Sequence, residues 1–188
     1  MSAKRLRLTL IVGGIVLSGL ILLAWTQQWF LVLLAAGQEL GVAGDVAAPA
    51  LSALALAGLV LAGALALAGP VFRVVLGALE TAIGALVIVS AVIAVSDPLS
   101  AAAETVSGAT GVGGDESITA LVSAVVVSAW PVATIVLGAL LSLLGVTVVV
   151  TSKRWPMSSR KYNATRLETV EGNPVDDWDA LSDGRDPT

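Results

Sequence analysis

The 188-residue chain contains no cysteine and no histidine. Their absence excludes disulfides, thiol nucleophiles, Cys/His zinc sites, histidine-ligated haem and imidazole acid–base chemistry. Charge is scarce as well: 13% of residues are Asp, Glu, Lys or Arg, about half the share in soluble domains. Carboxylates, hydroxyls, Lys/Arg, Trp and backbone are left for any site. No phosphate-cradling loop, dinucleotide fingerprint or nucleophile elbow occurs. No cofactor is expected, no metal site, and no catalytic constellation, so the chain does not read as an enzyme.

Apolar residues make up 56% of the chain, and they come as continuous runs rather than at an amphipathic period. About 20 helical residues cover the roughly 30 Å of bilayer hydrocarbon. The runs predict an all-α membrane protein, with four transmembrane helices packed as a small bundle. The expected segments are a basic N-terminus over 1–7, spans over 8–26, 46–68, 73–96 and 130–151, and an outer loop over 27–45. A short turn over 69–72, an acidic Gly-rich loop over 97–129 and a tail over 152–188 complete the list.

The first run, Leu8 to Trp25, follows Lys4, Arg5 and Arg7. A signal peptide shares that pattern, but the apolar core is longer than a signal core and no small-x-small cleavage site directly follows Trp25. An uncleaved first helix is the better reading. Trp29 to Leu34, followed by Gly37 and Gly41, reads as a short β-hairpin at the outer interface; the alternative is a first helix continuing through Ala36. Asp45 is placed to cap the second span, with Pro49 in its first turn. Gly108, Gly111, Gly113 and Gly114 predict a flexible middle for the 97–117 loop. The run from Ser117 to Thr151 is too long for one span, so 117–128 is expected as an outer helix, with the fourth span opening at Trp130-Pro131.

Lys and Arg fix the orientation. Three lie in the N-terminus, Arg73 lies beside the 69–72 turn, and the six others follow residue 152. The two remaining loops have none. Under the positive-inside rule this places both termini in the cytosol. Asn163-Ala164-Thr165 matches a glycosylation sequon, but it then lies on the cytosolic side.

Glu80 is the only carboxylate within a predicted span, about 10 Å along the helix from Arg73. Intramembrane ionisable groups often mark ion or proton paths. A single carboxylate makes a poor relay, however, and packing inside the bundle is the plainer reading. Thr81, Thr134 and a snorkelling Arg73 are its nearest polar candidates. Gly77 and Gly84 in one span, and Gly138 and Gly145 in another, recur seven apart and are expected to let helix backbones approach. Gly58 and Gly63 should do the same in the second span. Trp25, Trp29, Trp130 and Trp155 fall at predicted boundaries and read as interface anchors.

The tail divides by charge: Lys153 to Arg166 is basic, and Glu168 to Asp186 is acidic apart from Arg185. The basic part should lie on anionic headgroups, with no nucleic acid as partner. Trp178 and Leu181, three apart, share a face if the acidic part forms a helical turn; the alternative is a solvated, disordered tail.

These residues carry a resemblance. The basic start with Trp25 closing the first span, Gly44 through Ala48-Pro49-Ala50-Leu51, Arg73 before Gly77 and Ala129-Trp130-Pro131 occur in order. Arg154-Trp155-Pro156-Met157-Ser158-Ser159-Arg160-Lys161-Tyr162, then Trp178-Asp179-Ala180-Leu181 and Asp186-Pro187-Thr188, follow. Over essentially its whole length the chain resembles the actinobacterial membrane proteins associated with tryptophan biosynthesis. Where the family pattern runs acid, base, Gly, acid, this chain has Ser182, Asp183, Gly184 and Arg185. Glu80 is not part of that pattern.

The resemblance implies a four-span membrane protein tied to tryptophan synthesis by association, and carries over no catalytic residues. Besides the lipid bilayer, the expected partner is a cytosolic protein met by residues 154–188. Trp155, Arg160, Tyr162, Trp178, Leu181 and Asp186 are its candidate contacts. The functional expectation is a non-enzymatic scaffold. The alternative is a small transporter or permease subunit for an aromatic metabolite, for which four spans would call for a homo-oligomer.

Overall fold

A computed structural model describes residues 3–152. Helix α1 spans Ala3–Trp25. In hydrocarbon every backbone N–H and C=O needs a partner within the chain, which a continuous helix supplies. It ends in a tight turn, with Thr26 N–H donating to Leu23 O and Gln27 N–H to Ala24 O. Strand β1, Gln28–Leu34, then pairs antiparallel with β2, Glu39–Ala43. The reversal between them uses Gly37 at φ 84°, a left-handed conformation that glycine reaches without a Cβ clash. The expected hairpin is thus present.

A one-turn helix α2, Gly44–Ala47, leads into α3, Ala50–Leu65. Asp45 does not cap α3: its carboxyl accepts from Val46 N–H, within α2. Pro49 precedes α3 as its N-cap rather than lying in its first turn. The regular helix is shorter than the run expected over 46–68, because residues beyond Leu65 tighten into i→i+3 turns, Ala66 N–H to Gly63 O and Leu67 N–H to Ala64 O. Two arginines take up carbonyls at this end. Arg7 donates to Ala66 O, and Arg73 Nε donates to Ala68 O at 3.0 Å. Cations at a helix C-terminus also meet the negative end of its dipole.

Helix α4, Pro70–Ser96, starts with proline where a missing N–H costs nothing. Asp97 ends it and caps the next helix, α5, Pro98–Thr110, accepting from Ser100 N–H at 3.0 Å. The expectation of a flexible glycine-rich loop over 97–117 is corrected here. Gly108 lies inside α5, and Gly111, at φ 69°, is its left-handed C-cap. Helix α6, Asp115–Leu121, is followed not by more helix but by strand β3, Val122–Val127. The outer helix expected over 117–128 therefore stops at Leu121. The valines beyond it pair with β1, opposing Val127 to Phe30 and Val125 to Val32, and so make a three-stranded antiparallel sheet in the order β2-β1-β3. Helix α7, Trp130–Thr151, closes the described chain.

The four long helices pack in a ring: α1 on α3, α3 on α4, α4 on α7 and α7 on α1, with the α4–α7 contact the most extensive. The sheet and the short helices gather at one end of this ring. Three of the helices, α1, α4 and α7, are long and apolar enough to cross a membrane. The 16 residues of α3 reach about 24 Å, short of the hydrocarbon thickness. Large apolar side chains point outward around the ring, Val16, Val60, Ile93 and Leu143 among them. Such an outer surface is suited to lipid and not to water.

Trp29 departs from its expected role as an interface anchor. It is fully buried, its indole N–H donates to Ala24 O at 2.8 Å, and its ring meets Phe30 edge-on at 6.4 Å. The sheet folds back over the end of α1 and covers it. Trp130 is partly exposed where α7 begins. Trp155 and the other tail residues lie outside the described residues.

Candidate functional site

Buried positions recur along α3, α4 and α7 at alternating steps of three and four. On α4 they are Arg73, Gly77, Glu80, Gly84, Val87, Ala91 and Ala94, and on α7 Pro131, Thr134, Gly138, Leu141, Gly145 and Val148. This is the spacing of helices that interlock along a left-handed crossing. Glu80 therefore faces inward because of its place in that stripe, and it is 1% exposed.

The four glycines sit where α4 meets α7. A Cβ built on Gly145 would lie 2.5 Å from Thr81 N and 2.6 Å from Gly77 O. On Gly84 it would lie 2.5 Å from Ser142 N, and on Gly138 2.9 Å from Gly84 O. On Gly77 it would stand 3.0 Å from Gly145 O. The approach is backbone to backbone, and the helices exchange a hydroxyl bond across it, Ser142 Oγ donating to Thr81 O at 3.1 Å. Gly58 faces the Ser18 hydroxyl from α3, whereas Gly63 has nothing within 4 Å and packs against no neighbour.

Glu80 points the other way, toward α1 and α3. A Cβ on Gly14 would lie 2.7 Å from Glu80 Oε1 and 3.1 Å from the Ala62 methyl. Glycine on α1 and alanine on α3 thus leave room for the carboxyl. Neither Thr81 nor Thr134 partners it: their hydroxyls donate to Gly77 O at 2.9 Å and Trp130 O at 2.9 Å. Oε1 is buried without a hydrogen-bond partner, and so is Ser18 Oγ, one turn from Gly14 on α1.

These groups form a layer between two apolar clusters. On one side lie Leu10, Leu65 and Val148; on the other lie Ile21, Ala55, Val87 and Leu141. The buried residues between them on α1, α3 and α4 are Gly14, Ser18, Gly58, Ala62, Glu80 and Gly84, small or polar on every helix. Sequence reasoning identified Glu80 and missed this layer, because Gly14 and Ala62 are indistinguishable in sequence from their many equivalents.

Sequence reasoning also left Asp97 and Asp115 apart. The fold brings both to the wall of a cleft of about 170 Å³ between α5 and α6, with Ser100 and Thr119. Asp97 is committed there to capping α5. No group of three or more acidic residues that could hold a metal occurs among the described residues.

No curated protein and no solved structure matches the chain. Residues 7–188 match the family of tryptophan-associated transmembrane proteins, and with its long apolar helices the chain belongs to that family.

Proposed function

We propose that the protein is a non-enzymatic anchor of the bacterial plasma membrane. Both termini face the cytosol, and residues 154–188 are held at the inner surface for a soluble protein connected with tryptophan biosynthesis. The observation that carries this reading is the closure of α4 on α7, where glycines bring backbone against backbone. An interior occupied in this way suits holding helices together better than passing a solute. The separated charges of the tail add support: a basic stretch held to headgroups leaves the acidic stretch, with Trp178 and Leu181, displayed toward the cytosol.

Full-length protein in lipid nanodiscs, offered to cytosolic extract, should retain a soluble partner. Trp178→Ala should weaken that retention at least about tenfold, because a buried tryptophan contributes strongly at interfaces. If wild-type nanodiscs retain nothing beyond empty ones, the anchor reading fails.

In this reading α3, with α2 before it and the turns over 66–68 after it, is the second of four spans. A short helix is accommodated by local bilayer thinning. Reporter fusions test the arrangement. A periplasm-dependent phosphatase should be active when inserted at residue 36 or 112 and silent at 69 and 188; activity at 188 would overturn the orientation.

A permease for an aromatic metabolite is the second reading, favoured by the buried carboxyl of Glu80. Unchanged tryptophan and indole flux in a deletion strain would remove it.

A further inference from the structure

We propose that Glu80 is a proton-binding site inside the bundle, its carboxyl held as the neutral acid in the folded protein. This goes beyond the anchoring role and stands independently of what the tail binds. The argument is one of surroundings and space.

The carboxyl lies in the layer between two apolar clusters, 1% exposed, with Oε1 unpartnered. An isolated carboxylate in such a place loses its hydration and gains nothing in return, a cost of several kcal/mol at least. The chain removes that cost if the carboxylate takes up a proton from solvent hydronium as it inserts, forming one O–H bond, releasing a water molecule and losing its charge. Among the described residues, no side chain facing it supplies a cation. From Leu8 onward α1 has no charged residue, and α3 and α7 have none. The nearest charged groups along the chain are Arg73, two turns away on the same face of α4, and Arg7 at the foot of α1. Both donate to carbonyls at the end of α3.

Larger ligands do not fit. A single methyl placed on Gly14 would already stand 2.7 Å from Oε1 and 3.1 Å from Ala62. An organic amine, whose nitrogen carries at least one carbon, needs more room than that methyl. A metal cation needs several oxygen ligands, whereas Gly14 and Ala62 present none from their side chains and Ser18 Oγ is the one hydroxyl in the layer. A proton needs no added volume. Glycine at 14 is thus the residue that lets the acid lie between α1 and α3.

Infrared spectroscopy of the full-length protein in lipid at neutral pH tests this. The spectrum should contain the C=O stretch of an un-ionised carboxylic acid, separate from the carboxylate band. Isotopic labelling of glutamate should shift it, and Glu80→Gln should abolish it. The labelled wild type needs no variant, so the assignment to glutamate survives even if Glu80→Gln misfolds. Glu39, Glu104 and Glu116 lie outside the long helices, on β2, α5 and α6. Glu80→Gln, a neutral group of the same shape, should keep the wild-type melting temperature. A spectrum in which labelled glutamate yields carboxylate bands alone overturns the proposal.

Discussion

Gly145→Leu should detach α7 from α4 and cost the folded protein about 3 kcal/mol or more, a loss on the order of 10 °C in melting temperature. The site offers no side chain that can move aside. A first added carbon already falls 2.5 Å from Thr81 N and 2.6 Å from Gly77 O, both backbone atoms, so the helices themselves must separate. Separation also lengthens the Ser142 to Thr81 bond across the crossing. In lipid the loss is not offset by apolar attraction, since acyl chains solvate the parted faces as well as the helices did. Gly84→Leu should behave alike, its added carbon standing 2.5 Å from Ser142 N. Gly19→Ala and Gly63→Ala are the matched controls: a Cβ at either meets nothing within 4 Å, and no loss is expected. Thermal unfolding followed by circular dichroism in detergent micelles separates the two pairs. If Gly145→Leu melts with the controls, the α4–α7 crossing is not the close contact described.

The three long apolar helices, α1, α4 and α7, were legible because length and continuity of apolar residues suffice to mark them, and Gly37 marked the hairpin. Strand β3 was not legible. Its valines continue an apolar run, in which strand and helix differ only in what the backbone pairs with. That partner, β1, lies some ninety residues earlier. Helix α5 was hidden for another reason. Asp97-Pro98 is a stop for α4 and a start for α5 at once, an N-cap followed by proline at the first helical position. Serine, alanine and glycine after it resemble loop composition. At the candidate site, Glu80 was conspicuous as an acid in an apolar run. Its neighbours were not, since which alanine or glycine faces it follows from helix rotation and crossing, which one sequence does not encode locally. Trp29 misled because adjacency to a span suggests an interface, until β2 and β3 bring a sheet over it.

That sheet supplies the other large expected effect. Trp29→Ala should destabilise the folded state by about 3 to 5 kcal/mol, the range for emptying a buried large aromatic site. The ring is fully buried where α1, β1 and α2 converge. A Cβ on Gly44 would lie 2.6 Å from the indole nitrogen, so the backbone of α2 is moulded against it. Removing the ring leaves a void that α2 and β2 fill only by moving, and β1 carries both pairings of the sheet. Trp29→Phe separates packing from hydrogen bonding. It keeps most of the apolar volume and removes the donor to Ala24 O, a carbonyl that retains Gln27 N–H at 3.2 Å. The cost should therefore fall to about 1 kcal/mol, that of one bond whose acceptor stays satisfied. Melting temperatures of the two variants, with limited proteolysis of the 28–43 segment in nanodiscs, give the comparison. Trp29→Ala should be cut rapidly there while its long helices stay protected, and Trp29→Phe should resist. Equal resistance of Trp29→Ala and wild type would mean that the sheet holds to the helix ends without this ring.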